Sequence, residues 1–153
     1  HQCTLVPDSP SALTSDQGWD TLKESSFLTE ITARLKEQGI RVSIFLDASP
    51  RMVEGAASIG ADRGEFYTGP FAAQYRTDPR AAIAGHIAAA QEASQLNVGV
   101  NAGHDLNLDN LRFYASMIPN LLEVSIGHAL VCDALYYGLS NVIGMYQHQL
   151  RSI

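Results

Sequence analysis

Strand-like and helix-like patterns alternate along the whole chain, and this alternation constrains the fold more than any other feature. Short runs rich in β-branched and aromatic residues, bounded by turn formers, predict five strands. These runs lie at 3–6, 40–46, 64–67, 97–101 and 122–126. Strands that are each followed by a helix imply a parallel sheet with right-handed crossovers, so the pattern predicts an α/β protein.

Local signals predict the ends of several helices. Ser49 and Asp78 each precede a proline, which is typical of an N-cap followed by a first-turn proline. Gly39 is a natural residue to end the first long helix, and Glu24, three residues after Thr21, has the spacing of a capping box. We expect the last helix to carry a single apolar stripe. The stripe consists of Val131, Leu135, Leu139, Val142, Tyr146 and Leu150.

Two architectures are compatible with this pattern, an open doubly wound sheet and part of a closed (β/α)₈ barrel. The chain lacks G-x-G-x-x-G after a strand and lacks G-x-x-x-x-G-K-[ST], the phosphate-binding fingerprints of open nucleotide-binding sheets. Their absence favours the barrel. A complete barrel typically needs ~250 residues, whereas 153 residues accommodate about five βα units. We therefore predict one domain over residues 1–153, folded as a partial TIM barrel.

Charge and composition exclude several classes of partner. The formal charge is −6, and the ten Lys and Arg residues are too scattered to neutralise successive phosphates of a nucleic acid. No apolar stretch reaches the roughly 20 residues of a membrane helix, and the start of the chain lacks the pattern of a signal peptide. Cys3 and Cys132 are too few for a disulfide framework and lack metal-ligand spacing. We expect both to be reduced core residues of a cytoplasmic protein without a bound metal.

The residues that directly follow the strands are the first candidates for a functional site, because both architectures bind ligands at the carboxyl ends of their strands. They are Asp47, Thr68, Gly69, Gly103, His104, Asp105, Gly127 and His128. His104 is the strongest candidate, since a histidine after glycine at a strand end can titrate near neutral pH and face a ligand. Asn101 and Gly103 beside it strengthen this interpretation.

Other residues are interpreted from their position alone. A helix is predicted to start at Gly127 and His128, and the amides of a helix N-terminus attract phosphate, so we expect a mainly main-chain role there. Glu65 lies within a strand: pointing inward it is a buried, paired carboxylate and a site candidate, and pointing outward it is an ordinary polar residue. Composition alone gives Thr14 a helix-capping role. His86 lies within a helix, where a structural role is expected.

Five segments together resemble the pyridoxine 5′-phosphate synthases, ring-closing enzymes of a bacterial vitamin B6 pathway. They occupy 1–7, 42–47, 65–69, 100–104 (Val-Asn-Ala-Gly-His) and 126–129, in the family's order and with its spacing. The resemblance implies a (β/α)₈ barrel that assembles as a homo-octamer and uses no metal or organic cofactor. It implies condensation of 1-deoxy-D-xylulose 5-phosphate with 3-amino-2-oxopropyl phosphate, releasing phosphate and water. It also implies that this chain is the C-terminal portion, from the family's fourth strand to its eighth.

The resemblance assigns roles to particular residues. His104 resembles the family's catalytic histidine, a general acid that protonates a leaving group. Thr14 resembles a substrate-binding threonine in the loop after the family's fourth strand, and Gly127 with His128 resembles a main-chain phosphate clamp. Asp105 occupies a position that is often glycine and contributes a backbone contact to substrate. Its carboxylate adds negative charge beside an anionic ligand.

The chain departs from the family pattern at one further position and lacks several of the family's functional groups. Leu108 replaces a common tyrosine, whereas Asn110 fits. The family's catalytic histidine and glutamate on its second and third strands, its Asn-x-Asp-His segment and its substrate-binding arginines have no counterpart here. We therefore expect this polypeptide alone to be inactive, and we expect its two open sheet edges to promote association.

Two alternative functions are also compatible with the sequence. One is another phosphate-binding barrel, an isomerase or an aldolase. A lysine at a strand end would favour a Schiff-base aldolase, but Lys23 and Lys36 both fall in helical or loop segments. The other is a non-catalytic fragment that binds phosphate or assembles without chemistry.

Overall fold

The computed structural model describes residues 1–151, which form one five-stranded parallel sheet covered by helices. The strands are β1 (Gln2–Leu5), β2 (Arg41–Asp47), β3 (Arg63–Tyr67), β4 (Gly99–Gly103) and β5 (Leu121–Ser125). The helices are α1 (Ser25–Glu37), α2 (Pro50–Ile59), α3 (Gly69–Tyr75), α4 (Pro79–Gln95), α5 (Leu111–Met117), α6 (His128–Tyr137) and α7 (Leu139–Arg151). All five predicted strands are confirmed, and they pair in chain order.

The sheet is rolled into a trough, as in part of a barrel. Gln2 on β1 donates a hydrogen bond from Nε2 to Glu123 Oε2 on β5 at 2.9 Å. In a flat sheet, four strand spacings of roughly 4.8 Å would separate these edge strands by about 19 Å, too far for the two side chains to meet. The strand order also has no reversal, which a doubly wound sheet requires. The prediction of a partial (β/α)₈ barrel is confirmed.

The two faces of the sheet differ in chemistry because side chains alternate along each strand. On the outer face, Val42, Ile44 and Leu46 of β2 are fully buried, as are their neighbours Phe66 and Ala102. They belong to one hydrophobic core with residues of the surrounding helices. Burying each of the larger side chains, those of Val, Ile, Leu and Phe, stabilises the fold by about 2 kcal/mol, so the apolar face holds the helices on the outside of the trough.

The inner face carries polar side chains in register. Thr4 of β1 lies beside Ser43 of β2, and Glu65 of β3 lies between Phe45 of β2 and Asn101 of β4. This alternation turns Glu65 into the trough, which decides its orientation in favour of the buried alternative.

Helix termini follow the predicted local chemistry in most places. Ser49 Oγ accepts from the Met52 amide at 3.4 Å, and Asp78 Oδ1 accepts from the amides of Arg80 and Ala81 at 3.1 and 3.0 Å. Gly39 has φ +69°, as expected after the end of α1.

The prediction of a capping box at Thr21 and Glu24 was wrong. Thr21 is buried, and its hydroxyl donates to the Met52 carbonyl at 2.8 Å. The turn before α1 is instead capped by Asp20 Oδ1, which accepts from the amides of Leu22 and Lys23. The tertiary contact to α2 therefore overrides the local spacing signal.

The prediction of a single apolar stripe in the last helix was also wrong. Gly138 adopts φ +78° and divides the segment into α6 and α7. Val142 and Tyr146 of α7 are buried, whereas Val131 and Leu135 of α6 are exposed, Leu135 by 82%. A single stripe requires one continuous helix, and glycine in the left-handed region ends it.

Three further predictions needed correction in detail. The segment between β3 and β4 holds α3 as well as α4, and β4 begins two residues later than predicted because Asn97 adopts φ +56° in the preceding turn. The cysteines are free, as expected, but Cys132 is exposed and Cys3 is only partly buried, so they are not core residues.

Within residues 1–151 no helix is both long and apolar enough to span a membrane.

His86 is the most deeply buried histidine side chain that the structure describes, and it makes stability depend on pH. It packs against Phe66 and Phe71, and its Nδ1 lies 2.9 Å from the Tyr114 hydroxyl. Burial lowers the pKa of His86 from 6.5 to about 4. Below pH 6.5 the unfolded chain gains a proton that the folded chain does not, so stability falls as pH falls from 6.5 towards 4.

We expect His86→Asn to remove this dependence. Between about pH 7.5 and pH 4.5, the free energy of unfolding of the unaltered protein should fall by about 2 kcal/mol more than that of the variant. Urea unfolding of both proteins at the two pH values measures the difference. Equal losses in both proteins would contradict the assignment.

Candidate active site

His104 stands directly after β4, at the carboxyl end of the sheet. Its backbone has φ +101°, a conformation that residues with a side chain rarely adopt. Its amide donates to the Ser125 carbonyl of β5 at 3.3 Å, and the side chain is 23% exposed. An unfavourable backbone conformation that persists at a strand end is typical of a functional position.

Three side chains surround the imidazole of His104. Nε2 lies 2.8 Å from Thr14 Oγ1, and Nδ1 lies 2.8 Å from Asp105 Oδ2. The ring of Tyr67, the last residue of β3, contacts it edge to face with centroids 5.3 Å apart. The structure thus brings together His104, Thr14 and Asp105, which the sequence analysis had singled out separately.

The loop that carries Thr14 is tied to the end of β2. Asp47 Oδ1 accepts from the Gly18 amide at 3.1 Å, and the Trp19 amide donates to the Phe45 carbonyl at 2.8 Å. Asp47, a candidate from its strand-end position, therefore anchors the loop that brings Thr14 to His104.

Thr68 has a comparable structural use at the end of β3. It is fully buried, and both its hydroxyl and its amide donate to the Gly103 carbonyl, at 2.8 and 3.1 Å. These bonds fix the ends of β3 and β4 side by side, which holds Gly103 and hence His104 in place.

A cavity of about 390 Å³ opens beside His104, within the size range of small-molecule pockets. Gly127 is the N-cap of α6 and has no side chain to bond the first-turn amides, so these amides can serve an anion. The cavity is lined by Gly69, Ala72, Ala73, His104, Asp105, Asn107, His128 and Ala129. His104, Asp105 and the start of α6 therefore face one space.

Glu65 lies deeper in the trough and is 8% exposed. Thr4 Oγ1 donates to its Oε2 at 3.0 Å, and Ser125 also hydrogen-bonds to the carboxyl group. Burial raises the pKa of Glu65, and the charge of Glu123 raises it further, while the hydrogen bonds from Thr4 and Ser125 act in the opposite direction. Gly103 gives the carboxyl group room, because a Cβ at this position would come within 2.5 Å of Glu65 Oε1.

Asn101 belongs to a separate polar network on the inner face. Its Oδ1 accepts from the Arg63 guanidinium at 2.9 Å, and its Nδ2 donates to Glu123 Oε2 at 3.0 Å. The side-chain amide is thus committed to Arg63 and Glu123, and the structure does not bring it to His104.

Tyr67 lies against His104, although it was not among the site residues predicted from the sequence. Burial raises the pKa of its phenol, and the carboxylates of Asp105, Asp16 and Asp47 raise it further. The position of Tyr67 at the end of β3 was the available signal, since it precedes Thr68 and Gly69 among the strand-end residues. The surroundings of the site are therefore acidic as well as aromatic.

The described part of the chain does not bring together a set of metal ligands. Across residues 1–151 there is no group of three or more His, Cys, Asp and Glu side chains that could hold a metal ion.

Replacing Glu65 tests its buried charge. Because burial raises the pKa of Glu65 above its ordinary 4.5, the ionised carboxylate destabilises the fold at higher pH, and this cost disappears below pH 4.5. We expect Glu65→Gln to unfold at a higher temperature than the unaltered protein at about pH 8, with the difference shrinking towards about pH 4. Thermal unfolding followed by circular dichroism measures it.

The matched control is Glu54→Gln, an exposed carboxylate on α2. It should give no pH-dependent gain. A gain for Glu65→Gln that is absent, or the same at both pH values, would contradict the burial of a costly charge.

Comparison with known proteins connects this geometry to a family. The family model described as "Pyridoxal phosphate biosynthesis protein PdxJ" matches residues 1–152. The pyridoxine 5′-phosphate synthase of Cytophaga hutchinsonii is 55% identical over 150 residues, covering 98% of this chain and 63% of that protein. The synthase of Bacteroides thetaiotaomicron is 52% identical over 151 residues, covering 99% and 64% respectively.

The match extends along the chain but not along the whole of its relatives. The synthase of Flavobacterium johnsoniae is 50% identical over 150 residues, which again cover 98% of this chain and 63% of the relative. The chain thus spans a little under two thirds of the length of the curated relatives it matches. It belongs to the PdxJ family of pyridoxal phosphate biosynthesis proteins.

Proposed function

We propose that this chain supplies part of a pyridoxine 5′-phosphate synthase, with its reaction centre at His104. The observation that carries the proposal is the contact of His104 Nε2 with Thr14 Oγ1 at 2.8 Å. Residues 90 positions apart meet at the carboxyl end of the strands, beside the N-terminus of a helix, in a chain of this family. The relatives described above are named pyridoxine 5′-phosphate synthases.

The reaction proposed is condensation of 1-deoxy-D-xylulose 5-phosphate with 3-amino-2-oxopropyl phosphate, with release of phosphate and water. His104 acts as the general acid that gives its proton to a leaving oxygen. Thr14 binds substrate next to it. The first-turn amides of α6, at Gly127 and His128, hold a phosphate, since a helix N-terminus favours negative charge.

Glu65 and Gly103 support this site from below. Glu65 places a buried carboxyl group, bonded to Thr4, in the trough, and Gly103 leaves the space for it. Asp105 contributes its backbone to the substrate site, and Asn101 contributes only through the inner-face network.

The position of the chain within the full-length enzyme is part of the proposal. We place it as the C-terminal portion, from the fourth barrel strand to the eighth, because residues 1–7 resemble the family's fourth strand. The catalytic histidine and glutamate of the second and third strands would then come from preceding sequence. No cofactor is required by this chemistry.

Other phosphate-binding barrels receive less support from the structure. Lys36 of α1 bonds to Asp62 at 3.0 Å, before the start of β3 and at the opposite end of the sheet from His104. Lys23 is exposed and pairs with Glu24. Neither lysine lines the cavity beside His104, which disfavours a Schiff-base aldolase.

The synthase proposal is tested by assaying release of phosphate from the two substrates. The protein containing this chain and its proposed preceding strands should turn over, and His104→Asn should lower kcat by roughly 10²- to 10⁴-fold, the usual contribution of a general acid. His148→Asn in α7 is the matched control and should retain activity.

The isolated chain of 153 residues should show no turnover even at high concentration. Turnover by the isolated chain would contradict the division of catalytic groups proposed here. Full activity of His104→Asn would contradict the role of His104.

We also propose that the chain assembles with further polypeptide, as the octameric family does. β1 and β5 are edge strands of the described sheet, and α6 exposes Val131, Leu135 and Tyr136. Exposed edges and contiguous apolar side chains favour association. Light scattering should give a mass above that of one chain, and a well-folded monomer at all concentrations would contradict this.

A further inference from the structure

The carboxylate of Asp105 makes a contact that its proposed backbone role does not explain. Asp105 Oδ2 lies 2.8 Å from His104 Nδ1, although the side chain is 47% exposed and could extend into solvent.

The segment that carries Asp105 is held by its own side chains. Asn110 Nδ2 donates to the Asp105 carbonyl at 3.3 Å, and Asn110 Oδ1 accepts from the Asn107 amide at 2.9 Å. Asn107 Oδ1 accepts in turn from the amides of Asp109 and Asn110. These bonds hold the backbone from the Asp105 carbonyl to Asn110, so the fold positions Asp105 from its C-terminal side.

The chemistry of the contact determines where the imidazole carries its proton. An ionised carboxylate can only accept a hydrogen bond, so His104 Nδ1 must donate to Asp105. In the neutral ring Nε2 is then an acceptor, and the Thr14 hydroxyl, 2.8 Å away, donates to it. When the ring gains a proton, that proton is on Nε2.

The imidazole is also restrained in its orientation. The Tyr67 ring lies against it at 82° with centroids 5.3 Å apart, while Asp105 and Thr14 occupy opposite edges of the ring. Rotating the ring by half a turn would exchange a carbon–hydrogen edge for each nitrogen and lose both hydrogen bonds.

We propose that Asp105 is a positioning residue that fixes His104 in the Nδ1–H tautomer, leaving Nε2 as the atom that gives and takes the catalytic proton. The proposal deepens the function proposed above and rests on it for the destination of that proton, the leaving oxygen. The arrangement follows the logic of a carboxylate–histidine pair, in which the acid holds the ring without itself being protonated.

Nitrogen NMR of ring-labelled histidine tests the tautomer directly in the unaltered protein. The His104 signals are identified by their loss in His104→Gln. In the neutral ring, we expect His104 Nδ1 at the shift of a protonated nitrogen and Nε2 at that of an unprotonated one. The reverse assignment, or equal populations of the two tautomers, would overturn the proposal. This test needs no substitution at Asp105.

Variants then test whether Asp105 is the cause. Asp105→Ala should shift the population towards the Nε2–H tautomer, and Asp105→Asn, whose amide oxygen still accepts, should lie between. Asp109→Asn is the matched control, since this carboxylate of the same segment pairs with Arg76 at 2.7 Å, and it should leave His104 unchanged. An unchanged tautomer in Asp105→Ala would overturn the proposal.

Kinetics separate this role from a backbone contact to substrate. In the active synthase, Asp105→Ala should lower kcat by at least about tenfold with a smaller change in KM. A raised KM with unchanged kcat would overturn the positioning role. If the protein containing this chain and its proposed preceding strands were inactive as a synthase while the tautomer result held, the proposed function would fail and the assignment of the histidine would stand.

Discussion

The constraint on which the rest of the molecule depends is the parallel pairing of five strands in chain order, rolled until side chains of β1 and β5 meet. The Gln2–Glu123 hydrogen bond at 2.9 Å shows the degree of curvature. Because every carboxyl end lies on one rim, loops far apart in sequence converge there. Thr14, Asp105 and the start of α6 meet around His104 for this reason, while the alternation of each strand puts apolar side chains outside and Glu65 inside.

Much of the fold could be predicted because its signals are local. Strand centres, the N-caps at Ser49 and Asp78 and the glycine after α1 each depend on a few neighbouring residues, and the structure confirms them. The failures occurred where distant contacts or backbone freedom decided the outcome. Thr21 bonds to α2 instead of capping α1, and Gly138 divides one expected helix into two.

The candidate site was predictable in its members more than in its contacts. Strand-end position singled out His104 and Asp105, but neither position nor spacing indicates that Asp105 contacts Nδ1 or that Thr14 contacts Nε2. Glu65 could not be oriented from sequence, because a register change of one residue reverses every side chain in a strand. The pairing of Glu65 with Phe45 and Asn101 supplied what the sequence lacked.

We propose that one space at the carboxyl rim, between His104 and the start of α6, binds a phosphorylated ligand. A titration of the protein with inorganic phosphate, followed by backbone amide and histidine ring NMR, tests it most directly. We expect saturable shifts at the amides of Gly127, His128 and Ala129, together with the His104 ring. Shifts confined to other parts of the sheet, or no saturable shift at these amides, would contradict it.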